Sequence, residues 1–74
     1  MPMPDPLNVG DRPINLTQVL KLAGWVVHGG EAKALIADGM VRVNGEVETR
    51  KRRQMTLGDT VHLEGGPSLV LVNA

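Results

Sequence analysis

The stretch that decides the fold runs from Gly29 to Arg53 and reads GGEAKALIADGMVRVNGEVETRKRR. Apolar residues at helical spacing follow the glycine pair, so the stretch begins with a helix that Gly39 ends. The alternating residues 41–43 predict a half-buried strand with Arg42 pointing outward. Asn44-Gly45 then favours a two-residue hairpin turn, because both residues tolerate positive φ. A return strand and a run of four basic residues complete a helix, a hairpin and a basic segment.

The rest of the chain adds a helix before this stretch and strands after it. Asn15 with Gln18 three residues later forms the pattern of a capping box, and Gly24 ends the helix that starts there. Residues 60–64 alternate as a strand, and residues 68–72 are apolar enough for a last strand. The sequence therefore predicts an α+β fold with two N-terminal helices followed by a small antiparallel sheet of about four strands.

The chain is long enough for only one domain. Residues 1–12 contain three prolines and little apolar periodicity, which predicts a flexible N-terminal arm ahead of a domain at residues 13–74. An edge strand that uses Leu7 and Val9 is the alternative. Trp25, the only aromatic residue, is expected to fill the core after the first helix, with a base-stacking platform as the alternative.

Composition excludes several classes of function. Cysteine is absent, so neither a disulfide framework nor a thiolate metal site is available. No His, Asp and Glu spacing suggests metal ligands, and the few hydroxyls have no evident base, so we expect no metal, no cofactor, no small-molecule substrate and no catalysis. No apolar run approaches the length of a membrane span, and the first residues do not form a signal peptide. We therefore expect a cytoplasmic protein.

The charges are balanced overall but unevenly distributed. Eight basic and eight acidic residues give a net charge of zero. The segment from Lys33 to Arg53 has six basic and three acidic residues, so it carries +3 and the remainder −3. A neutral chain can therefore present one positive face to a polyanion.

Two features of this segment suit a phosphate backbone. The first amides of the second helix are free to bind an anion, and Lys and Arg side chains neutralise phosphates. Each feature has an alternative interpretation. The glycine pair is then only a helix cap, and Arg42 pairs with Glu46 or Glu48 across the hairpin. The candidate RNA-binding residues are His28, Gly29, Gly30, Lys33, Arg42, Arg50, Lys51, Arg52 and Arg53, with Lys21 as a possible addition.

An ordered series of short motifs resembles a known family. The motifs are Gly24, Glu31-Ala32-Lys33, Leu35-Ile36, Gly39, Val41, Val43-Asn44-Gly45 and Gly58-Asp59. Together they are similar to the RNA-binding domain named after small-subunit ribosomal protein four, also called the alpha-L RNA-binding motif. The runs at residues 20–25 and 48–52 resemble its small stand-alone bacterial members. The resemblance implies an RNA surface made from the second helix, its N-terminus and the adjoining hairpin.

The chain departs from this family pattern at two places. Many members begin the second helix with Ser-Arg, where this sequence has His28-Gly29, and many begin the first helix with Arg and Asp, where it has Asn15 and Thr17. We expect a monomer that binds structured RNA, such as rRNA or a tRNA-like RNA, through phosphate contacts. The alternative is a protein-interaction or dimerisation module that uses the C-terminal edge strand.

Overall fold

The computed structural model describes residues 4–73, which form two helices and seven strands. The helices pack on one face of a five-stranded sheet, and a second sheet has two short strands. In chain order the elements are β1 Asp5–Asn8, β2 Ile14–Asn15, α1 Leu16–Leu22, α2 Gly29–Ala37, β3 Val41–Val43, β4 Glu46–Val47, β5 Gln54–Met55, β6 Thr60–Leu63 and β7 Ser68–Val72.

The main sheet has the order β1-β7-β6-β3-β4. Strands β7, β6, β3 and β4 are antiparallel neighbours, and they are the four strands that the sequence predicts. The α+β fold is thus confirmed. The sheet is nevertheless mixed rather than purely antiparallel, because β1 adds a parallel fifth strand beside β7. The two-stranded sheet of β2 and β5 is a further element that the sequence did not indicate.

Strand β1 corrects the prediction of a flexible arm up to residue 12. Asp5–Asn8 pair in parallel with residues 69–72, and the Val9 amide continues the ladder by donating to the Val72 carbonyl at 3.0 Å. The apolar β7 would otherwise be a sheet edge, and pairing with β1 satisfies its backbone groups. Residues 1–3, which belong to the same predicted arm, lie outside the described residues.

Helix α1 begins as its sequence predicts. The Asn15 side chain accepts from the Gln18 amide, and the Gln18 side chain accepts from the Asn15 amide, both at 2.9 Å. This reciprocal pair satisfies two helix-start donors. Gly24 follows the helix with a φ of 76°, a conformation that glycine adopts without strain.

The core lies between the helices and one face of the main sheet. Leu16, Leu20 and Ile36 from the helices are fully buried with Val41 and Val61 from the sheet. Trp25 is half-buried and packs against this cluster, which agrees with its interpretation as a core residue. Because strand residues alternate between faces, Arg42 points to the face away from the helices.

The β3–β4 hairpin turns at Asn44 and Gly45, whose φ values are 53° and 87°. The Asn44 side chain donates to Asp59 Oδ1 at 3.1 Å and accepts from the Thr60 amide at 3.0 Å. Burial of Asp59 opposes its ionisation, but hydrogen bonds from Thr56 and Asn44 outweigh burial and hold the pKa of Asp59 below its usual value. The hairpin tip is therefore tied to the turn before β6.

Candidate nucleic-acid interface

Glu48 is a nearly buried acid at the start of the basic run. Its amide donates to the Val41 carbonyl, which places it opposite Val41, so its side chain lies on the helix side of the sheet. Its carboxylate binds Arg50 through two bonds of 3.0 Å, from Nε and Nη2, and accepts from Arg53 Nη1 at 2.9 Å. The Arg50 amide also donates to Glu48 Oε2 at 3.1 Å. Glu48 thus holds both ends of the basic run.

The four basic residues form one closed turn, which we call the basic turn (residues 50–53). The Arg53 amide donates to the Arg50 carbonyl at 3.1 Å, and this is the bond that closes a β-turn. Lys51 and Arg52 occupy its two central positions and are exposed. Neither side chain has an ion-pair partner among residues 4–73. The geometry therefore presents these two cations to solvent.

The basic turn is docked on the first turn of α1 through its backbone. The Leu16 amide donates to the Arg53 carbonyl at 3.0 Å. The Thr17 amide and hydroxyl donate to the Lys51 carbonyl at 3.2 Å and 2.8 Å. Because carbonyls make these contacts, the cationic side chains are not consumed by them. Thr17 was not among the predicted site residues, and a contact that spans 34 residues leaves no local signal in the sequence.

The ion pairs of Glu48 have a direct electrostatic consequence. The Arg50 hydrogen bonds, followed by the Arg53 bond, outweigh burial and lower the pKa of Glu48 to about 2. The pKa of the Arg50 guanidinium is raised by the same carboxylate. Glu48 is therefore a carboxylate at neutral pH, and it orients Arg50 while leaving 74% of that side chain exposed. Arg53 is 28% exposed, so its charge serves mainly the turn itself.

The start of α2 is open to solvent. His28 is the N-cap residue, makes no capping hydrogen bond through its side chain and is exposed. A Cβ on Gly29 or Gly30 would meet no atom within 4 Å, so packing does not require glycine at either position. The Glu31 carboxylate lies at this helix start too, where it accepts from the Val27 amide at 3.3 Å. An approaching phosphate would meet that negative charge beside the free amides.

Two further lysines lie on the helices. Lys33 is exposed three residues after Gly30, so the two positions neighbour each other on α2. Lys21 is exposed in the last turn of α1. It lies four residues after Thr17 and hence on the face of α1 that receives the basic turn. Neither lysine has an ion-pair partner among residues 4–73.

The position of Arg42 corrects the prediction that all the candidate cations share one positive face. Its Nε forms an ion pair with Glu64 at 3.2 Å, and its Nη1 donates to the Gly45 carbonyl at 3.4 Å. The partner is Glu64, in the turn after β6, and not Glu46 or Glu48. Since Arg42 points away from the helices, it does not join the basic turn.

The remaining candidates divide into two groups along α1. The basic turn contacts the N-terminal end of α1, whereas α2 begins after the loop of residues 23–28 that follows α1. No hydrogen bond or ion pair in the described part of the chain joins the α2 start to the basic turn. Lys21 lies on α1 and precedes both groups in the chain.

Comparison with known proteins identifies the family. The family model described as the S4 domain matches residues 7–71, nearly the whole chain. The chain belongs to the S4 domain family. Its α+β fold and its short motifs are those of an S4 domain, so the resemblance found in the sequence is confirmed.

Bacterial relatives and a solved structure agree with this assignment. The S4 domain is 46% identical over 59 residues to the Escherichia coli "Putative RNA-binding protein YbcJ", covering 78% of this chain and 84% of that protein. It is 38% identical over 71 residues to the Bacillus subtilis "Probable ribosome maturation protein RlbA", covering 96% and 100%. The solution structure of YbcJ, described as an alpha-L motif involved in RNA-binding, matches with a TM-score of 0.71 and 41% identity over 97% of this chain and 91% of that one.

Within this S4 domain, the motifs that identify the family mostly build the fold. Asn44 and Asp59 hold the hairpin to the turn before β6, and Gly39 ends α2 with a φ of 74°. Lys33, in the Glu31-Ala32-Lys33 motif, is the exception, since it is exposed and has no ion-pair partner among residues 4–73. In residues 4–73 there is no helix long and apolar enough to cross a membrane, and no group of three acidic or histidine side chains placed to hold a metal.

Proposed function

We propose that this S4 domain binds structured RNA, ribosomal or tRNA-like, as a monomer in the cytoplasm and without catalysing a reaction. Contact is made mainly with the phosphate backbone. The observation that carries the proposal is the basic turn, where Glu48 fixes both ends and Lys51 and Arg52 project from the middle. A phosphate backbone is the ligand best suited to two unpaired cations that a fixed backbone turn holds side by side.

Preorganisation favours this use of the turn. A flexible run of four cations would lose conformational entropy when it binds RNA and would repel itself while free. In the basic turn, the Glu48 carboxylate offsets the repulsion of Arg50 and Arg53, and the bonds to Leu16 and Thr17 fix the backbone. Binding then requires only the side chains of Lys51 and Arg52 to become ordered.

The start of α2 supplies a second group of contacts. The amides of Gly29 and Gly30 point out of the helix start, where the helix dipole favours an anion. Lys33 adds a full positive charge one turn later, and His28 adds an exposed imidazole. We include these residues with Arg50 in the interface and leave out Arg42, which is ion-paired on the other face.

The names of the relatives support the class of ligand. YbcJ is named a "Putative RNA-binding protein", and RlbA a "Probable ribosome maturation protein". The second name favours ribosomal RNA over tRNA for this chain. Dimerisation through a free β7 edge receives no support, because β1 already occupies that edge.

The test compares variants that each remove one positive charge, either from the basic turn on the helix side or from the outer face of the sheet. Fluorescence anisotropy with a labelled ribosomal RNA hairpin gives the Kd of wild type, Lys51→Gln, Arg52→Gln and the control Arg42→Gln. We expect each turn variant to weaken binding by at least about threefold and to reduce the salt slope by about 1, from a wild-type log–log slope of about −2 to −4. Arg42→Gln should stay within about twofold of wild type.

Two results would refute the proposal. One is a wild-type affinity that does not change with salt. The other is an Arg42→Gln variant that loses as much affinity as the turn variants, because binding would then not depend on the helix side. A labelled tRNA in the same assay tests the choice of RNA.

A further inference from the structure

An open groove of about 470 Å³ lies between the loop after β1 and the helix α1. Its apolar walls include Val9, Ile14 and Leu22, and Leu22 is 55% exposed. Its polar lining includes Arg12 and Lys21, and no acidic residue lines it. The volume is within the range of about 300–1,000 Å³ that is usual for ligand sites.

The two cations of the groove are free to bind. Arg12 and Lys21 are exposed, and neither has an ion-pair partner among residues 4–73. An occupant therefore gains most if it combines an apolar face with a negative charge. A nucleotide has both, since the flat faces of its base are apolar and its phosphate is an anion. Arg also offers a guanidinium plane on which an unpaired base can stack.

The groove adjoins the strand that follows the basic turn. Residues 50–53 lead directly into β5, and Met55 of β5 pairs with Ile14 of the groove wall. The Gln54 side chain also donates to the Ile14 carbonyl at 3.2 Å. On α1, Lys21 lies one helical turn from Thr17, which holds the Lys51 carbonyl. A strand of RNA whose phosphates contact Lys51 and Arg52 is thus close to the groove.

We infer that this groove receives one unpaired nucleotide of the RNA bound at the basic turn. The inference rests on the proposed function, and it makes the ligand an RNA stem with a bulge or an unpaired end. Lys21 and Arg12 contact the phosphate and the base of that nucleotide, and Ile14 and Leu22 cover the apolar surface of the base. Recognition of single unstacked nucleotides is a usual way for proteins to gain selectivity among RNAs.

The experiment uses three RNA hairpins that differ at one position. The first is fully paired, the second has one extra unpaired nucleotide in the stem, and the third has an abasic residue at that place. We expect wild type to bind the bulged hairpin about tenfold more tightly than the paired one, and the abasic residue to lose most of that gain. Equal affinity for all three hairpins would overturn the inference.

Variants separate the groove from the basic turn. The ratio of the two Kd values, paired over bulged, should fall close to 1 in Arg12→Gln/Lys21→Gln. It should fall about threefold in Leu22→Ala. The control Val47→Ala, at a residue that is 48% exposed and lies opposite Arg42 on the outer face, should keep the wild-type ratio. Lys51→Gln/Arg52→Gln should weaken both hairpins by a similar factor and preserve the ratio. If that variant weakens neither, the proposed function fails; if only the ratio is insensitive to the groove variants, the groove inference fails alone.

Methyl signals give a readout that does not depend on affinity. The Ile14 and Leu22 methyl resonances should shift on addition of the bulged hairpin and much less with the paired one. A shift that is produced by an acidic, leucine-containing peptide but not by the bulged hairpin would show that the groove takes protein, and would overturn the inference.

Discussion

The Glu48 carboxylate accepts two hydrogen bonds of 3.0 Å from Arg50, one at each oxygen. Its Oε1 atom also accepts a hydrogen bond of 2.9 Å from Arg53. A buried acid is thus the centre of the most basic segment of the chain. Removing its charge should loosen the whole turn, and the consequences can be measured.

Glu48→Gln should lower the free energy of unfolding by about 1–3 kcal/mol, because charge-assisted bonds to two arginines are lost or weakened. Urea denaturation measures the loss as a lower midpoint with an unchanged m-value. The matched control is Glu46→Gln, since Glu46 is exposed and has no ion-pair partner within residues 4–73. Equal midpoints for the two variants would show that the Glu48 contacts contribute nothing.

The same carboxylate makes stability depend on pH in acid. The pKa of Glu48 is about 2 in the fold against 4.5 for a free glutamate, so the unfolded chain binds the proton first as pH falls. The contribution of Glu48 is complete above a pH of about 4.5 and is lost as pH falls toward 2. The difference in unfolding free energy between wild type and Glu48→Gln should therefore shrink across this window. A difference that stays constant from pH 6 to pH 2.5 would contradict the assigned ion pairs.

Gly30→Ala distinguishes an effect on stability from an effect on anion binding at the start of α2. Space around Gly30 is open and its φ is not positive, so alanine should leave stability unchanged or raise it by up to about 1 kcal/mol. If a phosphate approaches the amides there, the added methyl group should weaken RNA binding several-fold. Thermal unfolding and anisotropy on one sample measure both effects. Unchanged RNA affinity in a stabilised variant would remove the α2 start from the interface.

Two substitutions of Asn44, at the hairpin tip, should lower the free energy of unfolding by different amounts. Asn44→Gly keeps the positive φ and loses the side-chain bonds to Asp59 and Thr60, which should cost about 1 kcal/mol. Asn44→Ala loses the same bonds and also places a Cβ at a φ of 53°, so it should cost about 1 kcal/mol more. Chemical denaturation of the two variants gives the order. Alanine more stable than glycine would contradict the role of the backbone angle.

The parts of the fold that the sequence predicts are those that short-range signals encode. The Asn15–Gln18 capping box, the Asn44-Gly45 turn and the residue pattern within each of the four antiparallel strands depend on residues a few positions apart. The pairing of β1 with β7 joins residues more than 60 positions apart, and prolines in this segment suggested an arm. Strands β2 and β5 have two residues each, too few to show a period.

For the site too, the sequence predicts what short-range patterns encode and misses what long-range contacts determine. The run of residues 50–53 marks a cationic surface in the sequence, and alternation places Arg42 outward. Alternation does not place residues 50–53, and their docking on α1 is what separates the basic turn from Arg42. The role of Glu48 was also missed, because its burial results from pairing with Val41 and from the docking of the turn on α1. Its position two residues before Arg50 is the one local hint.

The central claim is that RNA binds the helix side of the molecule and not the outer face of the sheet. Amide and side-chain NMR shifts recorded while a ribosomal RNA hairpin is added measure this directly. The account predicts large shifts at Thr17, Lys51, Arg52 and Gly30, with little change at Arg42 and at His62, its cross-strand neighbour on the outer face. Shifts concentrated on Arg42 and His62, with residues 50–53 unaffected, would contradict it.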